Sequence, residues 1–191
     1  GAIPDYKVLK TVLQTISSPK AAKYMKQGNY EVAGIMPAGG IYVFVRDREV
    51  DTVAELSGKR IATIDYDEPS IKMVGHIGAT MVPSNSTSFS GKFNNGSVDV
   101  AYAPAVAYKP LEMYKGLEPN GGIINYILAH MDFQLLVHAD RFPEGFAQKS
   151  RSLMAENYDR ALEFVDKETA GIDPKYWINL PQEYTDQYND M

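Results

Sequence analysis

Short apolar runs alternate with short helical patterns between Asp51 and Tyr108, and this alternation restricts the folds that the chain can adopt. The run Arg60–Ile64 is β-branched at three of its five positions, which is typical of a strand buried on both faces. Thr80–Val82 and Val98–Tyr102 predict two further strands. The helices are predicted at Thr52–Leu56, Pro69–Ile77 and Ser86–Asn95, and from Pro104 onwards. Because strands that alternate with helices pair in parallel, the sequence predicts an α/β fold with a mostly parallel sheet.

The rest of the chain divides in the same way into helical and strand patterns. The helical patterns cover Ile3–Ser17, Ser18–Gly28, Pro143–Thr169 and Gln182–Met191. The strand patterns cover Tyr30–Met36, Ile41–Arg46, Ile123–Leu128 and Phe133–His138. The segment Pro37-Ala-Gly-Gly40 is expected to end the first of these strands, because proline and glycine interrupt regular structure.

Ligand-binding residues are expected in the loops that follow the strands, because an open parallel sheet holds its ligand at the carboxyl ends of its strands. The loop Asp65-Tyr-Asp-Glu68 is the strongest candidate, since it places three carboxylates and a phenol at such an end. The two other loops are Pro83–Ser86 and Ala103–Ala105. The candidate ligand-binding residues are Asp65, Tyr66, Asp67, Asn85, Ser86, Tyr102, Tyr108, Phe133 and Gln134.

Each candidate also has a purely structural interpretation. The acidic residues of the first loop would favour the N-terminus of the helix that follows them, without touching a ligand. The serine cluster Ser84–Ser88 could cap a helix, or its backbone amides could hold an anion. Tyr108 could equally pack in the core.

Three segments resemble, in order and at matching spacing, motifs of the periplasmic solute-binding proteins of tripartite ATP-independent (TRAP) transporters. These segments are Thr52–Ile61, Ile77–Pro83 and Phe89–Asp99. A weaker similarity extends from about Tyr30 to about Tyr158. The segment Lys92–Pro110 is similar to a branch of this family in which some members are linked to resistance–nodulation–division efflux pumps.

This resemblance implies a periplasmic-binding-protein-like (type II) fold with two lobes that close on a solute between them. Residues 48–125 would form lobe two, and residues 1–47 with 126–191 would form lobe one and the C-terminal helices. Phe133 and Gln134 would lie near the hinge. The implied protein is a bacterial periplasmic receptor that delivers its solute to an inner-membrane transporter. An accessory protein of an efflux pump that has kept the receptor fold is the alternative.

The length of the chain is unusual for such a receptor. Two domains of about 100–150 residues each would need roughly 200–300 residues, whereas the chain has 191. We therefore expect lobe one to lack its N-terminal β-α-β portion, although a genuinely short variant is also possible. An incomplete lobe would leave an unpaired sheet edge, through which two copies could form a homodimer. No signal-peptide pattern opens the chain, so the periplasmic location follows from the resemblance alone.

The expected solute is neutral or cationic. In carboxylate receptors of this family, an arginine on the strand that follows the first motif holds the substrate carboxylate. When Gly58-Lys-Arg-Ile61 is aligned with that motif, the corresponding position is Ala62. Arg60 lies on the same strand face but nearer its start. An acidic opening in a chain with 13 tyrosines suits an amine or a neutral polar molecule better than a dicarboxylate.

Composition excludes several other functions. A net charge of −5 argues against nucleic acid as a partner, and the absence of cysteine excludes disulfides and thiolate metal sites. No phosphate-binding loop is present, and His76, His130 and His138 are not at metal-ligand spacing. We therefore expect no cofactor and no metal. Since no nucleophile, base and acid can be combined from these residues, we expect no catalysis.

Overall fold

The computed structural model describes residues 3–190, so Gly1, Ala2 and Met191 lie outside the described residues. The α-helices are α1 Tyr6–Ser17, α2 Val53–Leu56, α3 Glu68–His76, α4 Phe89–Asn94, α5 Tyr114–Leu117, α6 Phe146–Glu156, α7 Tyr158–Ala170 and α8 Gln182–Asp190. The strands are β1 Lys26–Gln27, β2 Tyr30–Val45, β3 Arg60–Ile64, β4 Thr80–Ser84, β5 Val100–Pro104, β6 Gly122–His138 and β7 Trp177–Ile178. Across the described residues, no helix combines the length and the hydropathy needed to span a membrane.

The sheet is mixed, with a parallel centre. Its strand order is β4-β3-β5-β2-β6-β7, and β1 pairs with β2 outside this path. Strand β3 pairs in parallel with both β4 and β5, as the alternation of strands and helices predicts. Strand β2 joins β5 in the antiparallel direction, with Ile41 opposite Pro104 and Val45 opposite Val100. The α/β class is therefore confirmed, and the parallel part of the sheet coincides with the stretch from Asp51 to Tyr108.

Contacts within the chain define two compact units. Unit 1 consists of Gly1–Gly39 and Ala129–Glu168, and unit 2 consists of Gly40–Leu128 and Thr169–Met191. Strands β2 and β6 contribute residues to both. The expected lobes instead placed residues 169–191 with the N-terminal part of the chain. Residues 169–191 are grouped with unit 2 because β7 pairs with β6 and the Tyr188 hydroxyl donates to the Asp51 carbonyl across 3.0 Å. The division into two receptor lobes stays a prediction.

Unit 2 has a hydrophobic core on each face of its sheet. Successive side chains of β2 alternate between the two cores, with Phe44 in one and Val45 in the other. The first core includes Phe93 of α4, and a Cβ atom on Gly116 would come within 2.3 Å of that ring. The second core includes Val74 of α3. Helices therefore cover both faces, which is why β3 is apolar on both sides.

Unit 1 is built around α1, α6 and α7. Leu9 and Leu13 of α1 pack with Tyr158 of α7 in its main apolar cluster. Arg151 of α6 is fully buried and donates from Nη1 to the Glu31 carboxylate across 3.1 Å. The Val32 carbonyl and the Gln148 amide oxygen accept its other hydrogen bonds. A buried ion pair therefore joins α6 to the first residues of β2.

Two long strands replace the four short ones that the sequence predicts at these places. The Pro37–Gly40 segment does not end a strand, and β2 continues from Tyr30 to Val45. A Cβ atom on Gly39 would meet Val165 at 2.7 Å, and one on Gly40 would meet Ile127 at 2.9 Å. These glycines therefore allow close packing rather than a turn. In the same way, β6 runs without interruption from Gly122 to His138.

Several predicted helices are shorter than expected. The helix predicted over Pro143–Thr169 is divided at Asn157, whose side-chain amide donates to the Leu153 carbonyl across 2.8 Å. The helix predicted from Pro104 is replaced by a 3-10 turn at Ala105–Ala107 and the short helix α5. A 3-10 helix over Pro19–Tyr24 replaces the one predicted for Ser18–Gly28.

Candidate functional site

The carboxyl ends of β3, β4 and β5 are held together by two hydrogen bonds. The Asp65 N–H donates to the Ser84 carbonyl across 3.0 Å, which joins the end of β3 to the end of β4. The Ile64 N–H donates to the Tyr102 hydroxyl across 3.1 Å, which joins β3 to β5. We call this region, formed by residues 64–68, 83–86 and 102–105, the carboxyl edge. It brings together all three loops in which the sequence predicts ligand-binding residues.

The first loop exposes two of its predicted ligand-binding side chains. Asp65 is exposed, and Tyr66 has 71% of its surface accessible. Asp67 is different, because its carboxylate accepts a hydrogen bond from the Ser70 hydroxyl and its carbonyl accepts one from the Ile71 N–H. Asp67 therefore starts α3, which is the structural role that the sequence left open, whereas Asp65 and Tyr66 face solvent.

The second loop is shaped by Asn85. Its side-chain oxygen accepts hydrogen bonds from the Thr87 N–H and hydroxyl, across 3.1 and 2.8 Å, and its own N–H donates to the Ser88 hydroxyl across 3.0 Å. These bonds form the turn before α4. Ser86 is exposed at the tip of the loop. Sequence reasoning missed Lys92, whose ammonium donates to the Pro83 carbonyl and adds a positive charge to this part of the carboxyl edge.

The two tyrosines that flank the third loop have different environments. Tyr102 is half-buried, and its hydroxyl oxygen holds the end of β3. Tyr108 is only 7% exposed and lies in the hydrophobic core of unit 2, with the Tyr114 and Tyr176 rings at centroid distances of 6.0 and 6.3 Å. This burial raises the pKa of Tyr108 to about 12. The structure therefore places Tyr108 where core packing accounts for it.

The remaining two candidates, Phe133 and Gln134, belong to unit 1. Both are exposed on β6, and the Gln134 side-chain amide donates to the Asp132 carboxylate across 3.1 Å. The other seven candidates belong to unit 2. A role for Phe133 and Gln134 in ligand binding stays a prediction from the sequence.

The arginines of unit 2 lie at the end of the sheet opposite the carboxyl edge. Arg60, at the start of β3, binds the Asp99 carboxylate with Nη2 at 2.6 Å and Nε at 3.0 Å, and these bonds hold the pKa of Asp99 below its usual range. Arg46 follows β2 at the same end and donates to the Phe93 carbonyl across 2.7 Å. Arg48 donates to the Lys175 carbonyl across 3.3 Å. Position 62 is a buried alanine.

A cavity of about 260 Å³ lies within unit 1. Its wall includes the Lys26–Glu31 ion pair, with 3.4 Å between the ammonium and the carboxylate, and the stacked rings of Phe142 and Phe146. Its residues come from separate stretches of the chain, so no local pattern in the sequence indicates it. Among residues 3–190, no three His, Asp or Glu side chains are grouped closely enough to hold a metal ion.

Comparison with known proteins identifies the family. The model of the family described as "Solute-binding protein AdeT 1/2" matches residues 1–191, the whole chain. The chain belongs to this family. It is 38% identical over 191 residues to the "Probable solute-binding protein AdeT1" of Acinetobacter baumannii, and this match covers the whole chain but 62% of the relative.

Solved structures confirm the α/β fold of periplasmic solute-binding proteins of the TRAP class. One is the TRAP periplasmic solute-binding protein of Ralstonia eutropha H16 with bound (S)-2-acetolactate, with a TM-score of 0.76 and 14% identity over 98% of this chain and 63% of that one. Another is the ectoine-binding protein of the TeaABC TRAP transporter of Halomonas elongata, with a TM-score of 0.72 and 14% identity over 97% of this chain and 63% of that one. The resemblance to this class that the sequence motifs indicate is therefore confirmed.

Proposed function

We propose that the protein is a periplasmic receptor that binds a small neutral or cationic organic solute at the carboxyl edge and presents it to an inner-membrane transporter. One observation supports this most directly. In a member of a solute-binding family, the carboxyl ends of three parallel strands meet and leave Asp65, Tyr66 and Ser86 exposed. Open α/β sheets bind their ligands at this position.

The charges around the carboxyl edge support the choice of solute. Asp65, Asp67 and Glu68 provide three carboxylates, while Lys92 provides one ammonium group. The arginines of unit 2 lie at the other end of the sheet, where Arg60 is neutralised by Asp99. A carboxylate ligand would therefore lose its hydration without gaining a bidentate partner, and the net cost would be several kcal/mol. An amine or a polyol would avoid that cost.

Calorimetric titration of the 191-residue chain at fixed salt tests the proposal. The panel contains organic amines, polyols and dicarboxylates, and a thermal-shift screen with the same compounds precedes it. We expect saturable binding by an amine or a polyol together with a higher melting temperature, because a ligand that binds only the folded state stabilises it. Tight binding of a dicarboxylate would contradict the charge argument.

The second candidate is an accessory protein of an efflux system that has kept the receptor fold without a transported solute. It is favoured by the number of predicted ligand-binding residues that make internal contacts, since Asp67 and Asn85 form turns and Tyr108 lies in the core. If no compound of the panel binds and a membrane transport protein is recovered with the chain from cells, this candidate replaces the first. Both candidates are non-catalytic in our proposal.

A further inference from the structure

Two opposite charges lie at the ends of neighbouring strands of the carboxyl edge. Strand β3 pairs in parallel with β4, so that Ile64 lies opposite Ser84. Asp65 directly follows β3, and its side chain is exposed. The Lys92 ammonium donates to the carbonyl of Pro83, the residue before Ser84, so it lies beside the end of β4. A negative and a positive side chain therefore border the same edge.

Lys92 reaches this edge from helix α4. No residue of the carboxyl edge itself is a lysine, an arginine or a histidine, so its positive charge has to come from another element. The next residue, Phe93, is fully buried in the core of unit 2, which fixes the helix against the sheet. The Lys92 side chain is half-buried, and its bond to Pro83 holds the ammonium in place. Because an ammonium has three N–H donors, two remain for other acceptors.

The charges of Asp65 and Lys92 do not neutralise each other. Within residues 3–190, neither side chain forms an ion pair with another one. By contrast, Arg60 and Asp99 form a direct pair at the opposite end of β3, with 2.6 Å between Nη2 and Oδ1. A direct pair leaves little charge for a ligand, whereas two separate charges can each attract a ligand group of opposite sign.

We propose that the solute is a zwitterion, with an ammonium group that binds Asp65 and a carboxylate that binds Lys92. A zwitterion is neutral overall and so falls within the proposed function, on which this inference rests. Both contacts would be charge-assisted hydrogen bonds. Tyr66 is exposed next to Asp65, where its ring can lie against the ammonium of the solute. Ser86 is exposed on the loop that follows β4 and offers a hydroxyl to the carboxylate.

The charges of the edge also limit the number of acid groups that the solute can carry. Lys92 is a point charge that can pair with one carboxylate. A second carboxylate would meet Asp65, Asp67 and Glu68 without a cation to offset them, so a dicarboxylate remains excluded. An amine without an acid group would gain nothing from Lys92. Specificity for a zwitterion therefore follows from one cation placed among several carboxylates.

Calorimetric titration of the 191-residue chain with matched triplets of small molecules tests this inference. Each triplet consists of an amino acid, the amine that lacks its carboxylate and the acid that lacks its ammonium. The triplets are glycine with methylamine and acetate, β-alanine with ethylamine and propionate, and γ-aminobutyrate with propylamine and butyrate. A polyol of similar size completes the panel. We expect at least one amino acid to bind roughly tenfold more tightly than the amine and the acid of its own triplet.

Lysine variants assign this preference to one side chain. Lys92→Gln removes the positive charge but keeps an N–H donor, so the amino acid should lose its advantage while the amine binds as it does to the wild type. Lys59→Gln is the matched control, because Lys59 is also half-buried but precedes β3, at the opposite end of that strand. This control should keep the full preference. The unchanged binding of the amine shows in the same experiment that the Lys92 variant is folded.

The possible results separate this inference from the proposed function. If an amine or the polyol binds as tightly as the best amino acid, the inference is wrong and the receptor function stands. The same conclusion follows if the preference survives Lys92→Gln or is lost in Lys59→Gln. If no member of the panel binds, the inference is wrong, and the receptor function fails with it when the wider panel of amines and polyols is silent as well.

Discussion

The hydroxyl oxygen of Tyr102 accepts a hydrogen bond from the backbone N–H of Ile64 across 3.1 Å. This contact joins β5 to the last residue of β3, directly before the exposed Asp65. The Tyr102→Phe variant keeps the ring but leaves a half-buried N–H without its acceptor, so we expect the free energy of unfolding to fall by about 1 kcal/mol. Urea denaturation measures this change. Tyr66→Phe is the control, since Tyr66 is exposed and its variant should unfold at the wild-type urea concentration.

Tyr66 and Asp65 should contribute to solute affinity and hardly to stability. Because both side chains are exposed, we expect Tyr66→Ala and Asp65→Asn to change the free energy of unfolding by less than about 0.5 kcal/mol. For the solute identified by titration, each should weaken binding by roughly tenfold, equivalent to about 1.4 kcal/mol. Tyr24→Ala is a matched control, since Tyr24 is 72% exposed but belongs to unit 1. Equal loss of affinity in this control would exclude the carboxyl edge as the site.

The Arg60–Asp99 ion pair should make stability depend on pH in the acidic range. Arg60 lowers the pKa of Asp99 in the folded protein, so the ionised form of Asp99 is more favourable in the folded state than in the unfolded state. The stabilisation is complete above the unfolded pKa of about 3.9 and disappears as the pH falls through the lower folded value. We therefore expect Arg60→Gln to have a lower melting temperature than the wild type at neutral pH. The difference between the two melting temperatures should become smaller as the pH falls.

Thermal unfolding followed by circular dichroism between about pH 2.5 and pH 7 measures this narrowing. Arg48→Gln is a suitable control, because Arg48 donates to a backbone carbonyl rather than to a carboxylate. The difference in melting temperature between Arg48→Gln and the wild type should stay constant over the same pH range. If the difference in melting temperature is constant for Arg60→Gln as well, Arg60 does not stabilise the ionised form of Asp99.

The buried Arg151–Glu31 pair should be the most sensitive charged contact of unit 1. Replacing Arg151 with methionine removes the guanidinium that neutralises Glu31 inside the protein, so we expect a loss of about 3–5 kcal/mol. Lys26 contacts the same carboxylate but is largely exposed, so Lys26→Met should cost less than about 1 kcal/mol. Urea denaturation compares them. The double variant Arg151→Met, Glu31→Gln should recover part of the loss, and no recovery would indicate that packing around Arg151 dominates.

Local patterns predict the centre of the fold well. Strand β3 has the predicted bounds Arg60–Ile64, because burial on both faces requires an uninterrupted apolar run that is visible in the sequence. The loops of the carboxyl edge follow from this strand and from the rule for parallel sheets. Their side chains are less predictable, since a difference of a few residues places Tyr102 at the edge and Tyr108 in the core.

Contacts between distant residues account for the features that the sequence does not indicate. Gly39 and Gly40 resemble a turn locally, yet they serve close packing against Val165 and Ile127. An arginine in a helix ordinarily indicates a solvent-exposed position, whereas Arg151 is buried with Glu31 as its partner. Glu31 lies 120 positions earlier in the sequence, so the pair is not visible locally. Neither the close packing at Gly39 and Gly40 nor the burial of Arg151 can be predicted from neighbouring residues in the sequence.

The position of β7 determines when the sheet of unit 2 can be completed during synthesis. Unit 2 includes Gly40 in its first part and Thr169–Met191 in its last, with unit 1 residues synthesised between them. The pairing of Ile124 with Ile178 can therefore form only after residues 129–168 of unit 1 have been synthesised. Until that moment, the apolar face that Tyr188 will cover stays open to chaperones. Completion of unit 2 thus has to wait until the intervening part of unit 1 has been synthesised.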